Sequence, residues 1–131
     1  MEIHLKIIGI VFILLALIHV IFPSYFHWKN ELSSLSLINK QMMIIHTFFI
    51  ALIVLLMGII CLTSSSEIVE TSLGKKLAFG LGIFWGIRLI IQFFGYSSLL
   101  WRGKVFETTV HIAFSILWTY LTVIFFVIYF H

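Results

Sequence analysis

The sequence predicts an all-α integral membrane protein, a four-transmembrane-helix up-down bundle. Three observations predict it. Of its 131 residues, 62% are hydrophobic and only 10% charged, whereas a soluble domain carries about 25% charged residues. The mean hydropathy is +1.19. The apolar residues gather into four runs, approximately 3–22, 41–62, 76–98 and 105–130, each near the ~20 residues that cross ~30 Å of hydrocarbon. The runs use most of the chain, which reads as a single membrane domain, residues 1–131, with no soluble module.

The first run leads to Pro23-Ser24, where proline is expected to stop the helix. Its apolar stretch, Ile7 to Phe22, exceeds the core of a signal peptide, and no small-x-small cleavage pattern follows, so it reads as a retained anchor. Tyr25-Phe26-His27-Trp28 is an aromatic cluster of the kind that settles at headgroup level. From Lys29 to Lys40 the chain mixes charges, serines and leucines, a composition suited to a short interfacial helix. Asn39 is the expected N-cap of the second run. Ser64 and Glu67 then make a capping-box spacing, opening a short amphipathic turn that is expected to end at Gly74. A tight connection, Trp101 to Lys104, leads into the fourth run, and no internal repeat is visible.

An even number of crossings puts both termini on one side. Lys29, Lys40, Arg102 and Lys104 then lie opposite Lys6, Lys75 and Lys76, a balance too even for the positive-inside bias to orient the protein. The net charge of +3 is spread over short loops, with no basic run of the kind that binds nucleic acid. Cys61 is the one cysteine, so an intrachain disulfide is excluded. There is no GxSxG, P-loop, HExxH or CxxC pattern, and no multi-histidine box of the membrane di-iron kind.

The chemistry of interest lies in the third run, Trp85-Gly86-Ile87-Arg88-Leu89-Ile90-Ile91-Gln92-Phe93-Phe94-Gly95-Tyr96. A charge at membrane depth costs roughly 2.5–3.5 kcal/mol on insertion scales unless it finds partners. Counted from a helix end at residue 98, Arg88 lies about ten residues in, roughly 15 Å. On a helical wheel, Phe79, Ile83, Phe84, Ile87, Ile90, Ile91 and Phe94 cover a broad apolar side, assigned to lipid. The opposite arc holds Trp85, Arg88, Gln92 and Tyr96 beside Ala78, Gly82 and Gly86, a small-residue stripe that lets helices approach closely. In the fourth run Glu107, His111, Ser115, Trp118, Thr122 and Tyr129 share one direction, opposite Ile112, Ile116, Val123, Ile124 and Val127. His46 shares an arc with Met43, Ile50, Met57 and Cys61, next to a packing edge of Thr47, Ala51 and Gly58. His19 falls near Phe12, Leu15 and Ala16. An up-down topology brings His19, His46, Gln92, Glu107 and His111 toward one membrane face, with Arg88 deeper.

Four uses fit this set. His19, His46 and His111, with Glu107, offer nitrogen and oxygen ligands for zinc, copper or iron. Two of the histidines on facing helices can ligate haem, with Arg88, Arg102 or Lys104 toward its propionates. Alternatively Trp85, Tyr96, Phe114 and Trp118 wall a pocket for a quinone, a polyprenyl lipid or another lipid-soluble ligand, in which His46 or His111 moves protons and Arg88 holds an oxygen. The fourth use is structural, with Arg88 paired to Glu107 and the histidines bonded to neighbouring helices. The sequence reading favours ligand or cofactor binding at His46, Arg88, Gln92, Glu107 and His111 between Trp85 and Trp118, with a redox link. Its alternative is a non-catalytic subunit or adaptor whose partners are membrane lipids, a membrane protein or a second copy of the chain. Nothing in the sequence decides whether the protein is an enzyme. In size, number of apolar runs and hydropathy the chain resembles small four-span bacterial membrane proteins, including the DoxX-like kind. No specific motif accompanies that resemblance, and no function is carried over from it.

Overall fold

Among the described residues six helices form, and several start or end for a local chemical reason. They are α1 (Glu2–Tyr25), α2 (Trp28–Glu31), α3 (Leu37–Thr63), α4 (Ser65–Glu70), α5 (Ser72–Phe94) and α6 (Val105–Phe130). The structure is a computed structural model and describes residues 1–95 and 102–131. Among those residues there is no strand, and four helices, α1, α3, α5 and α6, are long and apolar enough to cross a membrane. That is the character of a multi-pass membrane protein. Tyr96 and Trp101, both singled out in the sequence, lie outside the described residues.

Helix boundaries differ from the hydropathy boundaries where polar residues do the capping. Helix α3 opens at Leu37, not residue 41, because the Ser36 hydroxyl accepts from the Asn39 N–H at 3.4 Å. Asn39 is therefore inside the first turn and not the cap. Likewise α5 opens at Ser72 on Thr71, whose hydroxyl accepts from the Gly74 N–H at 2.9 Å. Gly74 does not end a turn but lies inside α5. A Cβ there would collide with the Glu67 carbonyl and Ile68 of α4. Ser64 closes α3 as its C-cap. At the other end α5 stops at Phe94, capped by Gly95; the end expected at 98 lies outside the described residues.

Pro23 sits inside α1, against expectation. It withholds one N–H, from the His19 carbonyl, and the helix ends within a turn of it, at Tyr25. His27 then takes a left-handed conformation, φ 53° and ψ 46°, a region where histidine is enriched among non-glycine residues. The reversal starts α2, the short helix the composition suggested.

The chain divides into two compact units, Glu2–Ser65 and, with Met1, Ser66–His131. In the first, α1 and α3 form an antiparallel hairpin. The start of α1 meets the end of α3, with Gly9 against Gly58 and Leu62. A Cβ on Gly58 would lie 2.8 Å from the Gly9 carbonyl oxygen, and one on Gly9 would lie 2.8 Å from the Gly58 oxygen. Backbones touch here, with Leu5, Ile8, Phe12, Leu15, Ala16, Ala51, Val54 and Cys61 buried around them.

In the second unit α5 and α6 are again antiparallel. Phe79 meets Tyr129 and Phe126, Gly82 faces the Phe126 ring, Gly86 faces Thr122, and Trp85 meets Trp118. The exposed side of α5 carries Ile83, Phe84, Ile87, Ile90, Ile91 and Phe94 of the apolar arc read from the wheel, but Phe79, placed on that arc, packs against Phe126 and Tyr129 of α6. On α6 the wheel is less accurate. Ile112, Ile116 and Val123 are exposed, but Ile124 is buried along with Leu121, Phe125 and Ile128. The buried residues of α6 are thus mostly apolar, and of the polar-aromatic stripe only Trp118 is buried.

Candidate functional site

The second hairpin carries a polar network centred on Gln92, the one buried amide of α5 and only 7% exposed. Antiparallel pairing sets Gln92, in the last turn of α5, opposite the stretch of α6 from His111 to Trp118. The Trp118 indole Nε1–H donates to Gln92 Oε1 at 3.2 Å. Arg88, one turn earlier on α5, donates from Nη1 to the same oxygen at 3.4 Å. The two donors occupy both lone pairs of the amide oxygen and so fix which end of the amide is oxygen. Gln92 Nε2 must then be the donor to His111 Nδ1, 2.8 Å away. In this pairing His111 Nδ1 is the acceptor. One side chain thus reads the identity of three others.

Aromatic packing holds the network in place. The Trp118 ring stacks on Trp85 of α5 at 5.0 Å, with 15° between planes. It also stacks on Phe114, one turn back on α6, at 5.4 Å and 22°. The Arg88 guanidinium carbon lies 5.2 Å from the Trp118 ring centroid, within the ~6 Å of a cation–π contact. Phe93 meets His111 edge to face at 5.8 Å. Because α5 ends at Phe94, Arg88 lies six residues from the helix end, roughly 9 Å.

The structure thus brings together five of the predicted residues, Trp85, Arg88, Gln92, His111 and Trp118. Glu107 stands in the first turn of α6, one turn before His111, with its side chain exposed. The hydroxyls of the α6 stripe need no cavity. Ser115 donates to the His111 carbonyl and Thr122 to the Trp118 carbonyl, both at 2.8 Å. Thr119 does the same to the Ser115 carbonyl. Such i−4 bonding was available to sequence reasoning, since serine and threonine within a helix commonly do this. The Phe93 contact was also missed. Its signal is the register that follows once Gln92 is paired with His111.

The two remaining histidines belong to the first unit. His19 is half-buried, and its Nδ1–H donates to the Leu15 carbonyl of its own helix at 2.7 Å, with Phe22 beside the ring at 4.9 Å. His46 is exposed, as are Met43 and Ile50 on the same arc. The buried residues of α3 are Ala51, Val54, Gly58 and Cys61; of the arc read through His46, only Cys61 is among them. Among the described residues, no group of three or more His, Cys, Asp or Glu side chains is arranged to hold a metal ion.

An open groove of about 480 Å³, lined by Phe93, Ser115, Ile116, Thr119 and Tyr120, runs beside the network. Its size is in the range of small-molecule sites. The Ser115 and Thr119 hydroxyls in it are committed to carbonyls of α6. No protein-family model matches the chain, and neither does any curated protein or solved structure.

Proposed function

We propose that this chain is a multi-pass membrane protein, crossing the bilayer with α1, α3, α5 and α6 and leaving both termini on one side. In this reading it works as a non-catalytic subunit or adaptor of a membrane complex, and the Gln92 network is a structural clasp that fixes how α5 and α6 pair. The supporting observation is that the Gln92 amide is spent on its own hairpin. Its oxygen serves Trp118 and Arg88, and its nitrogen serves His111. A residue set built to orient a substrate or cofactor would direct such groups into a cavity. Here they answer one another, as polar side chains between membrane helices do when they act as glue.

The test combines composition and assembly. Protein purified in mild detergent is expected to carry no stoichiometric iron, copper or zinc and no haem absorption, and to migrate on native gels as part of a larger species. A Soret band or near-stoichiometric metal that disappears in His111→Ala would overturn the structural reading. A second reading is favoured by the groove beside Phe93, whose mostly apolar lining suits a lipid-soluble ligand lying along α6. Co-purification of a quinone or polyprenyl compound, lost in Ser115→Trp, would select it.

A further inference from the structure

Where α1 ends and α3 begins, the first hairpin has a feature that neither its packing nor the Gln92 network uses. A cavity of about 380 Å³ is lined by Pro23, Ser24, Trp28, Lys29, Lys40 and Ile44. All six belong to one unit. The left-handed turn at His27 folds α2 back, so that Trp28 and Lys29 join the end of α1 and the first turns of α3 around one space.

The charges there are one-sided. Lys29 and Lys40 both line the cavity, and no carboxylate does. Lys40 also stands four residues after the Ser36 N-cap, near the positive end of the α3 dipole, where a cation is disfavoured and an anion stabilised. Two lysines and a helix N-terminus bordering one space favour an anion there. The rest of the lining, Pro23, Trp28 and Ile44, is apolar or aromatic, so the anion must bring apolar substance with it. A cleft at the other end of the second hairpin, lined by Glu70, Ser72, Lys75, Lys76, Tyr129 and Phe130, makes the contrast. There a carboxylate lies among the lysines.

Depth along the chain completes the argument. Pro23 directly follows the apolar run that ends at Phe22, and Lys40 directly precedes the one that begins at Gln41. If the helices span a bilayer, the cavity lies at its headgroup level, where the Tyr25 to Trp28 aromatics also belong. The geometry points to a binding site for the phosphate of an anionic phospholipid, held between Lys29 and Lys40, with the glycerol and upper acyl region against Trp28, Pro23 and Ile44. A zwitterionic headgroup would add a third cation to the cluster and is disfavoured.

The inference rests on the membrane reading, and the experiment separates the two. Alkaline carbonate extraction of membranes tests insertion, and release of the full chain into the supernatant would overturn the membrane reading and with it the site. For the retained protein, purified in neutral detergent, thermal unfolding is followed while phosphatidylglycerol, phosphatidylcholine or glycerol 3-phosphate is added. Phosphatidylglycerol is expected to raise the midpoint at the lowest concentration. Each lysine near an anionic surface is worth about a five-fold change in affinity, so Lys29→Gln/Lys40→Gln is expected to weaken the effect about 30-fold. The double variant should keep its helical circular dichroism, because Lys29 is exposed and Lys40 half-buried. Lys75→Gln/Lys76→Gln should respond as the unaltered chain does. Equal stabilisation by phosphatidylcholine, or an undiminished response in Lys29→Gln/Lys40→Gln, would overturn the site. An effect reproduced by glycerol 3-phosphate alone would overturn the lipid as its source.

Discussion

The two hairpins hold their helices together by opposite means. Between α1 and α3 the interface narrows to Gly9 against Gly58, with carbonyl oxygens of one helix facing the other's Cα. Between α5 and α6 the glycines Gly82 and Gly86 meet side chains, Phe126 and Thr122, and no backbone, while Trp85 stacks on Trp118 and Gln92 bonds across the pair. Close backbone approach gains dispersion over many atoms but tolerates no added volume. A polar and aromatic clasp tolerates volume changes at its edges but depends on each donor finding its acceptor. The first interface should therefore be sensitive to size, the second to hydrogen-bonding chemistry.

Size at Gly58 gives the largest expected effect. Gly58→Leu would drive a side chain into the Gly9 carbonyl, Ile13 and Phe12, and overpacking at backbone contact is expected to cost about 3 kcal/mol. The checking measurement is unfolding followed by circular dichroism in a fixed detergent. Gly80, with open space around its Cα, is the control. Gly80→Ala should stabilise by about 0.5–1 kcal/mol through helix propensity alone. Equal behaviour at the two glycines would mean that α1 and α3 do not touch at Gly9 and Gly58.

Chemistry at Gln92 comes next. Gln92→Leu keeps the volume roughly constant but leaves Trp118 Nε1, His111 Nδ1 and Arg88 without their shared partner. Interhelical hydrogen bonds of this kind average about 0.6 kcal/mol and reach about 1.7, so a loss of about 1–2 kcal/mol is expected for the set. A double-mutant cycle with His111→Leu should give a coupling above the ~0.5 kcal/mol within which independent sites add. Strict additivity would dissolve the pair. Trp118→Phe removes only the indole donor while retaining a ring against Trp85 and Phe114. Its expected loss is smaller, about 0.5–1.5 kcal/mol.

How much of this the sequence revealed depended on the kind of signal. The four long helices were legible because hydrocarbon length is a coarse and strong constraint. The starts of α3 and α5 were not, since Ser36 and Thr71 cap helices that begin in polar sequence, before the apolar runs; α1 and α6 start where the apolar runs placed them, within a residue. Arg88, Gln92, His111, Trp85 and Trp118 were legible as a group because α5 and α6 are consecutive and antiparallel, leaving few registers. Gly58 was read as a packing edge, but its partner Gly9 was overlooked, because a lone glycine amid isoleucines forms no stripe. The direction of His46 was not legible, because its arc was judged by residue type. Met43, Ile50 and His46 are equally compatible with an inner or an outer face until Ala51, Val54 and Gly58 are seen to take the contact with α1.

His46→Ala is accordingly the smallest expected effect and the sharpest control on the comparison. His46 is exposed on α3, and substitutions away from cores and caps usually fall within about 0.5 kcal/mol of neutral. His111→Ala should instead resemble Gln92→Leu in magnitude, because it removes the other end of the 2.8 Å bond. Measuring both variants by the same unfolding assay distinguishes histidine as a residue type from histidine in a network. A His46→Ala loss as large as that of His111→Ala would mean that the exposed face of α3 is covered in the folded protein. It would then be the face of α3, more than the clasp on α5, that carries the contact with a partner helix.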